Sequence, residues 1–215
     1  VLNAVQPRVR GRITVTTGIR APGEDDTMNA LIDGTLWVIL GDFLMTFGVI
    51  GLIVGLIISA VRHRRGPELW ATLRDWFIFF AIGIGFSYNF VMHSFFGDFT
   101  AQTIGWPQSP FQLELAFASL GIGVIGFMAF TRRATTMLKV ATMVGPGIFL
   151  WGAAGGHVYQ SIANADFAFS NAGPILYTDV LLPVVGIVLI LLARRAPGVV
   201  PVSVPDVEDA EVSRR

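Results

Sequence analysis

The sequence predicts an all-α integral membrane bundle of five transmembrane helices, with the N-terminus outside and the C-terminus cytoplasmic. Three observations lead there. Over 215 residues, 53% are hydrophobic and only 14% charged, with a mean hydropathy of +0.64, which is too apolar for a soluble domain of this size. Five stretches approach the roughly twenty apolar residues that cross about 30 Å of hydrocarbon. The basic residues gather at their flanks, and no Lys or Arg occurs from 75 to 131 or from 140 to 193.

Taken in chain order, residues 1–34 read as a polar N-terminal tail. Arg8, Arg10 and Arg12 are followed by no apolar run of the signal-peptide kind, so no cleavage is expected. Its four arginines oppose an external placement, and a start at Met28 would remove them. The membrane domain is expected over 35–193. Its spans fall at about 35–60, ending in Arg62-His63-Arg64-Arg65; 73–96, after Arg74; 110–130, ending at Arg132-Arg133; 136–160, beginning near Lys139; and 176–193, ending at Arg194-Arg195. By the positive-inside rule, the basic loops and the tail at 194–215 are cytoplasmic and the loops at 97–109 and 161–175 external, in a bacterial inner membrane. Three prolines and an acidic run make that last segment a disordered tail.

Ser109-Pro110-Phe111-Gln112 has the form of a capping box, with Ser109 as N-cap, Pro110 at the first helical position and Gln112 reaching back. Trp37, Trp76, Trp106, Trp151, Tyr159 and Tyr177 lie mostly near span ends, where amphipathic rings favour the headgroup region. Gly145-Pro146-Gly147 marks an irregularity in span four, read first as a kink that neighbouring helices stabilise.

Each span carries one ionisable residue well beyond its basic flank: Asp42, His93, Glu114, His157 and Asp179. They stand 15 to 20 residues from the nearest flank, about 22–30 Å along a helix, and so occupy one level toward the external side. Asn89 lies one turn below His93, and Gln160 nearly one turn beyond His157. Ionisable groups inside a span cost about 2.5–3.5 kcal/mol each and normally face one another or a water-filled cavity. Two imidazoles and three carboxylates suit a divalent metal, and two imidazoles on facing helices suit a non-covalent haem. No local ligand motif accompanies them, so depth alone carries this reading. The plainer alternative is that Asp179 merely caps span five, that Glu114 sits near a helix N-terminus and that Asp42 reaches external water. His93 and His157 have no such helix-initiating role. Gly152, Gly155 and Gly156 beside His157 fit close helix packing, with a flat ligand as the alternative.

Met92-His93-Ser94-Phe95-Phe96-Gly97, then Gly105-Trp106, Ser109-Pro110-Phe111-Gln112 and Glu114, resemble a family of small bacterial polytopic membrane proteins of unknown function. The resemblance runs over about 36–193 and implies the fold and the association of His93, Glu114 and the external loop. It implies no activity.

Three functions follow as expectations. One is a metal or redox site on His93, His157, Glu114, Asp42 and Asp179, supported by Asn89 and Gln160. Another is a small solute or proton-coupled transporter, which the lack of an inverted repeat disfavours. The third is an accessory or structural subunit, in contact with the bilayer and with a membrane-protein partner or a second copy. Fifteen basic against fifteen acidic residues point away from nucleic acid, and the absence of cysteine excludes disulfides, thiolate-held clusters and covalent c-type haem. No phosphate-binding glycine loop or nucleophile elbow occurs.

Overall fold

The computed structural model describes Gly34, residues 41–131 and residues 133–194. The chain divides into two compact units, 1–35 and 36–215, and the architecture below is that of the second. The expected tail at 1–34 apart from Gly34, the alternative start at Met28, the first turns of span one with Trp37, and the tail beyond Arg194 lie outside the described residues.

The described chain runs α1 (Phe43–Val61), α2 (Pro67–Phe77), a π-helical segment (Ile78–Ile84), α3 (Gly85–Phe95), α4 (Gly97–Ile104), α5 (Phe111–Phe130), α6 (Thr136–Ala163), α7 (Phe169–Ala172) and α8 (Pro174–Ala193). Five stretches are long and apolar enough to cross a membrane: Phe43–Val61, Pro67–Phe95, Phe111–Phe130, Thr136–Ala163 and Phe169–Ala193. They match the five expected spans, with two shifted boundaries: span five opens at Phe169 rather than near 176, because the short α7 precedes α8. Span two starts at Pro67 rather than near 73, because Gly66, at φ +55°, turns the chain and Pro67 supplies a preset first helical residue. Arg74 therefore lies within the helix, where Asp75 bridges it and Lys139 of α6 at 2.8 and 2.7 Å.

The π segment was not legible beforehand. It sits where the backbones of α5 and span two meet: a Cβ on Gly126 would stand 2.6 Å from the Gly83 nitrogen and 2.9 Å from its Cα. Wide π turns change the helical phase, and Ser87 Oγ fills part of the resulting hydrogen-bonding demand by donating to the Gly83 carbonyl at 2.7 Å. Gly51 of α1 meets the Trp76 carbonyl in the same way, at 2.7 Å from an added Cβ. Here small residues let helices approach closely. By contrast Gly152, Gly155 and Gly156 have open space where a Cβ would go, so the packing expected beside His157 is absent among the described residues.

Span four continues through Gly145-Pro146-Gly147 without a break, with Pro146 and Gly147 buried and Gly147 lying against Pro183 of α8. The most extensive pairings are α3 with α5, α6 with α8 and α1 with α2. They enclose a core of Phe77, Ile78, Ile82, Phe86, Leu150 and Leu182. That core forms the floor beneath the polar residues described next.

Candidate functional site

Asp42 ends the turn that begins α1. Its Oδ1 accepts from the Met45 amide at 3.4 Å, so it is the N-cap of that helix, and its Oδ2 accepts from Thr178 Oγ1 of α8 at 2.6 Å. The helix cap thus also ties span one to span five. Asp179, the next residue, is 3% exposed. It accepts no hydrogen bond from the described residues; His157 Nε2 stands 3.7 Å from its Oδ2.

His157 is held from behind. Asn171, the fully buried residue of the short α7, places its Oδ1 2.8 Å from His157 Nδ1. The Asn171 amide cannot be turned over, because its Nδ2 donates to the Asp166 carbonyl at 2.7 Å, to Ser161 Oγ at 3.2 Å and to the His157 carbonyl at 3.4 Å. With oxygen facing it, Nδ1 carries a hydrogen, and Nε2 is the ring nitrogen turned toward Asp179. Trp106 lies over the imidazole, with ring centroids 5.5 Å apart and planes inclined by 34°. Across the site, His93 Nδ1 meets Gln112 Oε1 of α5, and Asn89 Nδ2 donates to Ser119 Oγ at 2.8 Å.

These groups line one cavity of about 190 Å³. Asp42, Asn89, His93, His157, Thr178 and Asp179 are among its polar lining, with Thr100, Thr103, Ser170 and the Trp106 indole, while Phe86, Phe149, Leu150, Leu115 and Ile175 are among its apolar surfaces. Among the described residues, no Lys or Arg lines it. A second, more open groove of about 520 Å³ runs past Asp98, Gln108 and Gln112 and shares His93 and Phe99 with the first.

Of the five ionisable residues expected at one level, the structure brings four to this cavity and leaves one out. Glu114 lies exposed in the first turn of α5 and does not line it. Gln160 also turns away, its side chain accepting from Asn164 beyond the end of the bundle. Among the described residues, no three His, Asp or Glu side chains converge closely enough to hold a metal ion.

Two capping assignments need correction. Pro110, not Ser109, precedes the first residue of α5, and no side chain caps that helix. Its first amides are satisfied by the Ser109 and Pro110 carbonyls, and Gln112 is drawn instead to His93. Asp179 is no cap either, since α8 opens with Gly173 and Pro174 and Asp179 lies in its second turn. Sequence reasoning missed Asn171, Thr178 and Trp106. Thr178 could have been paired with a carboxylate from its place beside Asp179; Trp106 passed for an ordinary interfacial aromatic, and nothing local distinguishes Asn171 from any polar loop residue.

Residues 41–198 match a protein family described as a family of unknown function, DUF6790. No curated protein and no solved structure matches the chain.

Proposed function

We propose that this chain, which belongs to the DUF6790 family of unknown function, is a multi-pass membrane protein that binds a small, largely apolar molecule at the external end of its bundle. The observation that carries this reading is the cavity of about 190 Å³ in which buried polar side chains occupy one wall and aromatic and aliphatic side chains the rest. Pockets for small molecules are concave and mostly apolar, with a few polar groups that orient the ligand. The external placement rests on the basic residues: Arg62, Arg64, Arg65, Arg133 and Arg194 flank the opposite ends of the spans, and Arg74 and Lys139 lie inside the helices toward those ends. Exposed apolar side chains along α1, α5, α6 and α8 fit contact with lipid.

A metal or redox centre on His93, His157, Glu114, Asp42 and Asp179 has less support. Glu114 is exposed and the other four do not converge in threes. His157 Nε2 and Asp179 form at most a two-donor pair, which falls short of the usual first-row metal site.

Titration of the detergent-purified protein with 2-naphthalenemethanol, followed by isothermal titration calorimetry, tests the pocket. Saturable binding that disappears in Ala153→Phe, whose added ring fills the cavity, is the expected result. No saturable binding to the folded protein, or binding that Ala153→Phe leaves unchanged, overturns the proposal.

A further inference from the structure

The polar wall of this cavity holds two carboxylates and two imidazoles, and its other polar lining, such as Thr178, Ser170 and the Trp106 indole, is neutral. His157 Nδ1–H is spent on Asn171, whose own amide group is locked by three acceptors, so in the neutral ring the nitrogen left toward the cavity is an acceptor. His93 is placed in the same way, its Nδ1 against the Gln112 amide oxygen. Thr178 gives its hydroxyl hydrogen to Asp42, and Asn89 uses an amide hydrogen on Ser119. Both carboxylates are acceptors when ionised, and among the described residues no Lys or Arg stands in the wall to answer them.

Asp179 makes the imbalance acute. It is 3% exposed, lines the cavity and receives no hydrogen bond from the described residues. Buried carboxylates in folded proteins are almost always paired or hydrogen-bonded, because an unmatched one is costly. The 3.7 Å between its Oδ2 and His157 Nε2 is too long for a hydrogen bond between them, so both atoms remain open to a donor that reaches the two together.

We infer that the cavity takes a lipophilic amine, whose ammonium group donates to Asp179 and to His157 Nε2 while its apolar body lies against Phe86, Phe149 and Leu150. This inference rests on the pocket proposed above and specifies its ligand class. An ammonium supplies the positive charge and several donors that the wall lacks; a hydroxyl supplies one donor and no charge, and a carboxylate adds repulsion. Asn171 is a positioning residue here, since it decides which imidazole nitrogen faces the ligand.

Three probes with one ring system and different heads test this: 2-naphthylmethylamine, 2-naphthalenemethanol and 2-naphthoate, each titrated into the full-length protein in detergent near neutral pH. The amine is expected to bind about tenfold or more tightly than the alcohol, and the carboxylate most weakly. In Asp179→Asn the amine loses about tenfold or more while the alcohol changes little. Asp42→Asn, expected to weaken the amine in the same direction, serves where Asp179→Asn does not fold. If the alcohol binds as tightly as the amine, or Asp179→Asn and Asp42→Asn weaken both equally, the amine inference falls and the pocket stands. If none of the three binds, both fall.

Discussion

Asn171→Leu removes one side chain of similar volume and tests whether the loop before α8 is organised around His157. Asn171 is fully buried and carries four contacts, of which two are strong: Oδ1 with His157 Nδ1 at 2.8 Å and Nδ2 with the Asp166 carbonyl at 2.7 Å. The losses are unequal. The Asp166 carbonyl keeps a second donor within reach, Ser161 Oγ at 3.1 Å, although its single hydrogen is shared with the His157 carbonyl at 2.9 Å. His157 Nδ1 has no other partner among the described residues and is left unsatisfied beside an inserted isobutyl group. An orphaned buried donor costs about 1–3 kcal/mol, and the net value of the lost bonds adds about 1 kcal/mol, giving roughly 2–4 kcal/mol in all.

For a chain of this size that corresponds to a fall in Tm on the order of 5–15 °C. Thermal unfolding in detergent, followed by circular dichroism, measures it. Asn164→Leu is the control, because Asn164 is exposed and its side chain bonds only to Gln160; it is expected to stay within about 2 °C. A melting temperature for Asn171→Leu as close to the unmodified chain as that of Asn164→Leu would refute the network as the support of His157.

Two further outcomes bear on the helices that carry the site. Ser109→Ala is expected to change stability by less than about 0.5 kcal/mol in the same melt, since no Ser109 side-chain bond holds the start of α5; a loss near 1 kcal/mol, the usual value of a lost N-cap, would restore the capping box. Gly126→Ala is expected to destabilise by about 1–3 kcal/mol, because its Cβ would meet the Gly83 backbone, whereas Gly121→Ala, with open space around it, should be neutral or slightly stabilising, and equal effects would refute the close approach.

Much of the fold was legible because the signals are long and redundant: five apolar runs, each bounded by charge or by glycine and proline. The composition of the site was half legible. Depth along each span identified five residues, but depth says nothing about which side of the helix they occupy. Helical phase does. On α5 the buried stripe is Ala116, Ser119, Gly123 and Gly126, and Glu114 stands two residues from Ala116, on nearly the opposite side. His93 continues the stripe through Phe86 and Asn89, His157 the stripe through Leu150 and Ala154, and Asp179 the stripe shared with Leu182 and Gly186. The same arithmetic was available from sequence. What was not available is the partner of each side chain: Gln112 has the spacing of a capping residue, and only the packing of α3 against α5 gives its oxygen to His93.

The division of residue types among the spans has a physical origin that also explains where the cavity lies. Alternate spans run in opposite directions, so α1, α5 and α8 begin at the cavity end, whereas α3 and α6 finish there. The positive end of the helix dipole favours carboxylates at the first group, and the negative end favours protonated imidazole at the second. Asp42 caps α1, Glu114 lies in the first turn of α5 and His93 in the last turn of α3, whereas Asp179 stands in the second turn of α8 and His157 lies before the last turn of α6. The dipoles therefore reach three of the five residues, and they do not decide burial, since Glu114 obeys the rule and remains exposed. Three arrangements remain: Asn171 holds the His157 imidazole through its amide oxygen, Thr178 joins Asp42 to α8, and Asp179 is buried without a hydrogen-bond donor among the described residues. None of these three arrangements is required by the helix ends, and all three face the same cavity or hold a residue that does.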